Sequence, residues 1–335
     1  MFAVMVIIEV SSGFAAKSIS ENASFVTGRS LLAEYNKPLF KRYAVFSLRA
    51  DESELEEKFG EYMYTDLSVR KCVVRMKLDS VNIDTSPYAA LDVNAFLKQI
   101  SKLGLACMAG NIINEPQKNT VITGHPTVLA SKLPSKLLGF HSRELVSLSG
   151  GMLEISPTVI AADEYILSFC SNQLNQHTRT YLTYETEYIL FGYSTDEANL
   201  SSIRRSIYAV LYAKNLAEAG EIPVDPIEAA ILLARVAFET ESELDEIISG
   251  GEVDGMSYTA YLRAFLSLLS RDEKMARLMD IMQLNLQYID GSSFSFADYA
   301  YGFDLTARFA KKVVTADFAG TDRRYRTVVQ THTYK

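Results

Sequence analysis

The sequence predicts an α+β fold, and three observations carry that prediction. Residues 2–46 are nearly free of helix breakers and place apolar residues at helical spacing. Residues 161–289 are rich in Leu and Ala with the same spacing. Segments 71–83, 299–314 and 323–335 alternate apolar and polar residues, as half-buried strands do. A helical half inserted between strands belongs to the α+β class and not to an alternating parallel one.

Taken in order, residues 2–46 are interrupted by Gly13, Gly28 and Pro38 alone, and apolar residues recur at Val4, Ile8, Ala15, Ile19, Ala23, Val26, Leu31, Tyr35 and Leu39. This predicts one long helix bent near Pro38. About forty residues would reach about 60 Å, too far for one small domain to cover, so part of the helix projects or packs on another chain. Its opening, MFAVMVIIEVSSGFAAKS, holds a lone carboxylate, Glu9, in an apolar run. That run is about 15 residues against the roughly 20 needed to cross a bilayer core. Glu9 would cost about 2.5–3.5 kcal/mol at a bilayer centre. No basic stretch precedes the run, so it does not read as a signal peptide. Two readings follow: an amphipathic helix buried in the protein's own core, where Glu9 needs a buried Arg or Lys, or the second half of a membrane helix that begins ahead of Met1.

The acidic run at 51–66 reads as a solvated helix or linker and marks a domain boundary. A strand at 71–83 follows, then Ser86 and Pro87 lead into a helix at 88–104. Residues 105–160 are weakly periodic. Helices are expected near 162–175, 199–218, 225–248, 257–269 and 272–289, punctuated by Pro223, Pro226, Gly250 and Gly251. The end reads as a hairpin of 299–314 and 323–335, turning near 319–321 and pairing with the 71–83 strand. The expected organisation is a stem helix at 1–48, the first part of an α+β head at 49–160, a helical subdomain at 161–298 and a hairpin at 299–335 completing the head sheet. EYIL occurs at 164–167 and 187–190, but the flanking residues share too little for a repeat.

The 335 residues are 48% hydrophobic, ample for a folded core, and the formal charge of -8 argues against nucleic-acid binding. Cys72, Cys107 and Cys170 lie far apart and read as buried thiols; neither they nor His125, His141, His177 and His332 stand at metal-ligand spacing. Walker, dinucleotide-binding, nucleophile-elbow and HExxH motifs are all missing. Glu241 and Asp245, with Glu239 and Glu243 beside them, share a helical face as an acid and base would, yet such spacing is common on solvated helices. SGGEVDGMSY at 249–258 lacks the order of a calcium loop and reads as a turn between helices. Met275, Met279 and Met282 fall at core spacing. Arg204 with Arg205, and Arg323, Arg324 and Arg326, read as solvated or carboxylate-paired bases. The expectation is a protein with no catalytic activity, no cofactor, no metal and no identified small-molecule substrate.

LLAEYNKPLFKRYAVF at 31–46, after an apolar start with a lone Glu, resembles the N-terminal region of an uncharacterised family of membrane-anchored proteins from Gram-positive bacteria. YETEYILFGYSTDEANLSSIRRSIYAVLYAKN at 184–215, SYTAYLRAFLSLLSRDEKMARLMDIMQLN at 257–285 and YGF at 301–303 resemble it as well. That family is similar to the TadE/TadG pseudopilins and occurs with tight-adherence (Flp-type) pilus components. The resemblance implies a minor pilin or pseudopilin-like surface protein, with a stem at the cell membrane and a head outside the cell. Its partners would be other pilus or envelope proteins and, through the N-terminal helix, the membrane. Glu9, with Phe2, Val6, Ile7 and Val10, would form the subunit or membrane-interface contact, since a pseudopilin Glu is thought to meet a neighbour's free N-terminal amine. Two features depart from the family's pattern. Too few apolar residues precede Glu9 for a full span, and no prepilin cleavage site is visible, which moves Glu9 toward the membrane interface. The reading from another class is a soluble helical interaction module with its first helix buried in its own core. A hydrolase built around Glu241 would need carboxylates about 5–9.5 Å apart in a cleft.

Overall fold

A computed structural model describes residues 2–69, 74–113, 156–169, 182, 184–290, 293–313 and 325–334. The chain divides into two compact units. The first comprises Met1–Phe40, Val45–Ala95 and Ser295–Lys335, and the second Lys41–Ala44 and Phe96–Phe294. The fold is α+β.

In the first unit, α1 (Phe2–Leu32) and α3 (Glu52–Val69) pack on a three-stranded antiparallel sheet of β2 (Val74–Asp84), β6 (Gly302–Val313) and β7 (Tyr325–Thr333), with β6 in the centre. The strand expected near 71–83 therefore pairs with the C-terminal hairpin, Ile83 lying opposite Leu305, as the alternation anticipated. Period-two alternation turns Phe303, Leu305, Ala307 and Phe309 of β6 into one core. Ala16, Ala23 and Leu31 of α1 and Leu55, Phe59 and Met63 of α3 close over it. A short pair, β1 (Leu48–Arg49) with β5 (Tyr299–Ala300), stands beside the sheet.

Two expectations are corrected here. The first helix does not run on to residue 46: it ends at Leu32, and a separate helix, α2 (Lys37–Tyr43), begins five residues later. Asn36 caps it, Oδ1 accepting from the Leu39 amide at 2.8 Å, and Pro38 sits in the first turn, where a missing N–H costs nothing. The acidic run is neither linker nor solvated on all sides. Leu55, Phe59 and Met63 recur every fourth residue and make α3 a core helix. Its acids hold the end of β2, Glu56 accepting from the Ile83 amide at 3.0 Å and Glu52 from the Thr85 amide at 2.9 Å. The turn expected near 319–321 and residues 71–73 lie outside the described residues.

His332 of β7 shows how tightly α1 meets the sheet. Its imidazole stacks on Phe303 with centroids 5.2 Å apart and lies against Gly28 so closely that a Cβ there would overlap the ring. Burial, and after it the positive charge of Arg29, hold the His332 pKa below the ordinary 6.5. The unfolded chain thus takes up this proton more readily than the folded one. The contribution of neutral His332 is complete above 6.5 and is lost as pH falls from there through the lower folded value. Urea unfolding between about pH 7.5 and about pH 5 should show stability falling with pH, and His332→Phe should flatten that slope. An unchanged slope in the variant would count against the assignment.

The second unit is helical. α4 (Val93–Ile113) enters it, and Gly104 is needed because any side chain there would strike the Ala161 carbonyl of α5 (Pro157–Leu167). Then come α6 (Glu185–Phe191), α7 (Asp196–Glu218), α8 (Pro226–Ile248), α9 (Tyr258–Leu268) and α10 (Arg271–Asp290). Caps set the starts: Thr195 accepts from the Ala198 amide at 3.3 Å, and Asp225 from those of Ile227 and Glu228 at 2.8 and 3.1 Å. Between α8 and α9 a two-residue turn at Asp254 and Gly255, both at positive φ, joins β3 (Glu252–Val253) to β4 (Met256–Ser257). Met275, Met279 and Met282 are core residues, as their spacing predicted.

Candidate functional site

Two places invite a functional reading, the N-terminal half of α1 and a buried polar cluster in the helical unit. From Ala16 onward α1 presents Ala16, Ser20, Ala23, Ser24, Thr27 and Leu31 to the interior. Before Ala16, none of the residues whose side chains are described is buried. Ile7 is 64% exposed, Val10 52% and Phe14 70%. The side chains of Phe2, Val6 and Glu9 lie outside the described residues. Among the described residues no helix is long and apolar enough to cross a membrane. In α1, Lys17 and Glu21 form an i,i+4 pair at 4.0 Å just beyond the apolar run.

The carboxylates of α8 are not arranged as an acid and base. Asp245 pairs with Arg204 of α7 at 2.8 Å, Glu243 accepts from Asn215 at 2.9 Å, and Glu239 faces Arg235 at 3.7 Å. Glu241 is exposed on the same helix. The Asp245 and Glu243 contacts fasten α7 to α8.

The buried cluster was invisible in the sequence. Every residue of α6 is buried, Glu185 and Glu187 included. α10 buries Glu273, Lys274, Arg277, Asp280 and Asn285. Arg277 donates from Nη1 to the Ile189 and Leu190 carbonyls at 2.8 and 2.5 Å, and from Nη2 to Glu273 at 2.6 Å. It therefore satisfies carbonyls of the last turn of α6, which its own helix leaves open. Lys274 reaches Asp163 of α5 at 2.7 Å. Tyr258 of α9 donates to Glu187 at 2.6 Å, Tyr188 donates to Asp280, and Tyr43 and Asn285 donate to Glu185 at 3.1 and 2.6 Å. Burial, with Glu185 beside it, drives the Tyr43 phenol well above its ordinary pKa, so it serves as a donor and not as a base. The cluster ties α5, α6, α9 and α10 into one register. Its carboxylates are engaged by phenols, an amide and cations, the pattern of a specifying network.

Residues 118–220 and 230–311 match the model of a family of unknown function, DUF5702. The chain belongs to this family. No curated protein and no solved structure matches it. The DUF5702 match takes in the residues of the buried cluster from Asp163 to Asn285, whereas α1 lies outside it.

Proposed function

We propose that this DUF5702 chain is a non-catalytic, pseudopilin-like surface protein, an assembly component of a tight-adherence type pilus system. The observation that carries the reading is the division of α1 into two halves of opposite character. One half is packed in a sheet-backed head, and the other holds out Ile7, Val10 and Phe14. Large apolar side chains exposed along one helical segment mark a contact surface. A stem built this way joins neighbouring subunits or envelope proteins through its apolar half while the head is fixed by the other. Sequence resemblance at 31–46 and 184–303 supplies the pilus setting and the cell-surface location. Chemistry is assigned no part, since the buried carboxylates serve packing.

The test is site-specific photocrosslinking in the native host with the probe at Ile7, Val10 or Phe14, together with cell fractionation. The expected result is a crosslink to a pilus or envelope component in the envelope fraction. With the probe at Ile7, a Val10→Ser, Phe14→Ser variant should lose that crosslink while its unfolding free energy stays within about 0.5 kcal/mol of the parent per substitution. A protein found in the soluble fraction, with no partner crosslinked at any of the three positions, would overturn the proposal and favour a soluble interaction module.

A further inference from the structure

α8 has two apolar faces. Val236, Thr240, Leu244 and Ile247 are buried on one side. On the other, Ile227 is 71% exposed, Ile231 65% and Phe238 78%, with Ala230 and Ala234 exposed between them. Ile227, Ile231, Ala234 and Phe238 follow a four-three-four spacing, the repeat of a coiled-coil seam. Val224, fully exposed just ahead of the helix, extends the line. A helix with a second apolar stripe facing water is half of an interface.

We propose that the occupant of this seam is a second copy of the chain, its α8 packed antiparallel on the first. Charge selects the occupant and its direction. In heptad terms the seam residues take the a and d positions, and Glu228 and Arg235 both fall at e, exposed along one edge of the seam. In an antiparallel pair e residues face e residues, so Glu228 of each copy meets Arg235 of the other, twice by symmetry. The same register lays Ile231 over Ala234 and Ile227 over Phe238, large against small and aliphatic against aromatic. A parallel pair makes neither charge contact. It would also set the exposed Glu241 and Asp245, which fall at the next d and a positions, beside their own copies. The antiparallel pair instead brings this acidic half toward the partner helix's N-terminus, the positive end of its dipole. A lipid surface fits poorly, because interfacial helices carry Lys and Arg along their polar face and this one is lined by acids. The seam is short, so the dimer is expected to be weak, with Kd on the order of 10 µM.

Sedimentation equilibrium of the full chain over about 1–200 µM should show a monomer–dimer equilibrium. Ile231→Lys, at an exposed site that the fold does not use, should abolish it with circular dichroism unchanged. Glu228→Arg and Arg235→Glu should each weaken association about tenfold by placing like charges together. The double reversal restores opposite charges and should recover it. A chain monomeric over the whole range, or a dimer indifferent to Ile231→Lys, would overturn the proposal. Failure of the double reversal to restore association would overturn the antiparallel arrangement. A monomer that binds phosphatidylglycerol vesicles through Ile231 would assign the face to lipid instead.

Discussion

Arg277→Met is expected to lower the unfolding free energy by about 3–5 kcal/mol, a large part of the roughly 5–15 kcal/mol that holds a typical domain. The guanidinium is buried, pairs with buried Glu273 at 2.6 Å and holds the two backbone carbonyls that end α6. Methionine fills much of the volume, so the loss isolates the polar contacts. Glu273 would keep its burial with that cation gone, and the Ile189 and Leu190 carbonyls would give up a charged donor. Arg277→Lys keeps the charge but not the planar fork that reaches three acceptors at once, and should recover less than half of the loss. Equilibrium urea unfolding of the full chain, followed by far-ultraviolet circular dichroism, reads both variants. A loss under about 1 kcal/mol for the methionine variant would show that water replaces the guanidinium and that the cluster does not fix α6.

How much of this was legible in the sequence depended on whether a signal was periodic. β6 was visible because Phe303, Leu305, Ala307 and Phe309 alternate with polar residues, and α7 through α10 because their Leu and Ala recur at three and four. α3 reads as a solvated helix or linker because its acids outnumber its three core residues. Composition suggested a solvated segment, while Leu55, Phe59 and Met63 sufficed to bury one face. In the sequence Pro38 reads as a bend in one helix, whereas in the fold it starts another, a difference that turns on Asn36 capping the Leu39 amide. α6 was missed as a separate element since seven residues give too few turns for a pattern. The cluster around it was hidden for another reason. Glu273 and Arg277 stand four apart, as surface ion pairs do, and nothing local distinguishes a pair that water covers from one that α6 covers. In the N-terminal half of α1 the apolar residues were readable, whereas the exposure of Ile7 and Val10 was not.

The Lys274–Asp163 pair leads to the second large effect, which removing Lys274 alone produces and removing both partners reverses. Lys274 is 2% exposed and its ammonium lies 2.7 Å from the Asp163 carboxylate. Burial raises the Asp163 pKa above its ordinary 3.8 and outweighs the pull of Lys274 in the opposite direction. A raised carboxyl pKa means that the folded state favours the protonated form, so at neutral pH this ion pair does not repay its own desolvation. Lys274→Met should therefore cost about 3–5 kcal/mol at pH 7, because it leaves the carboxylate buried with no cation. Adding Asp163→Leu removes that charge and should return most of the stability, a coupling of about 2–3 kcal/mol in a double-mutant cycle. The single variant carries its own pH signature. With Lys274 gone the Asp163 pKa climbs further, so as pH falls the folded protein takes up this proton before the unfolded chain does, and the deficit shrinks as the ordinary carboxyl value of 3.8 is approached. Urea titrations of both variants at about pH 7 and about pH 5 separate the outcomes. A deficit that does not change with pH, or a double variant no more stable than Lys274→Met, would mean that Lys274 acts by packing its alkyl chain between α5 and α10 and not by holding Asp163 ionised.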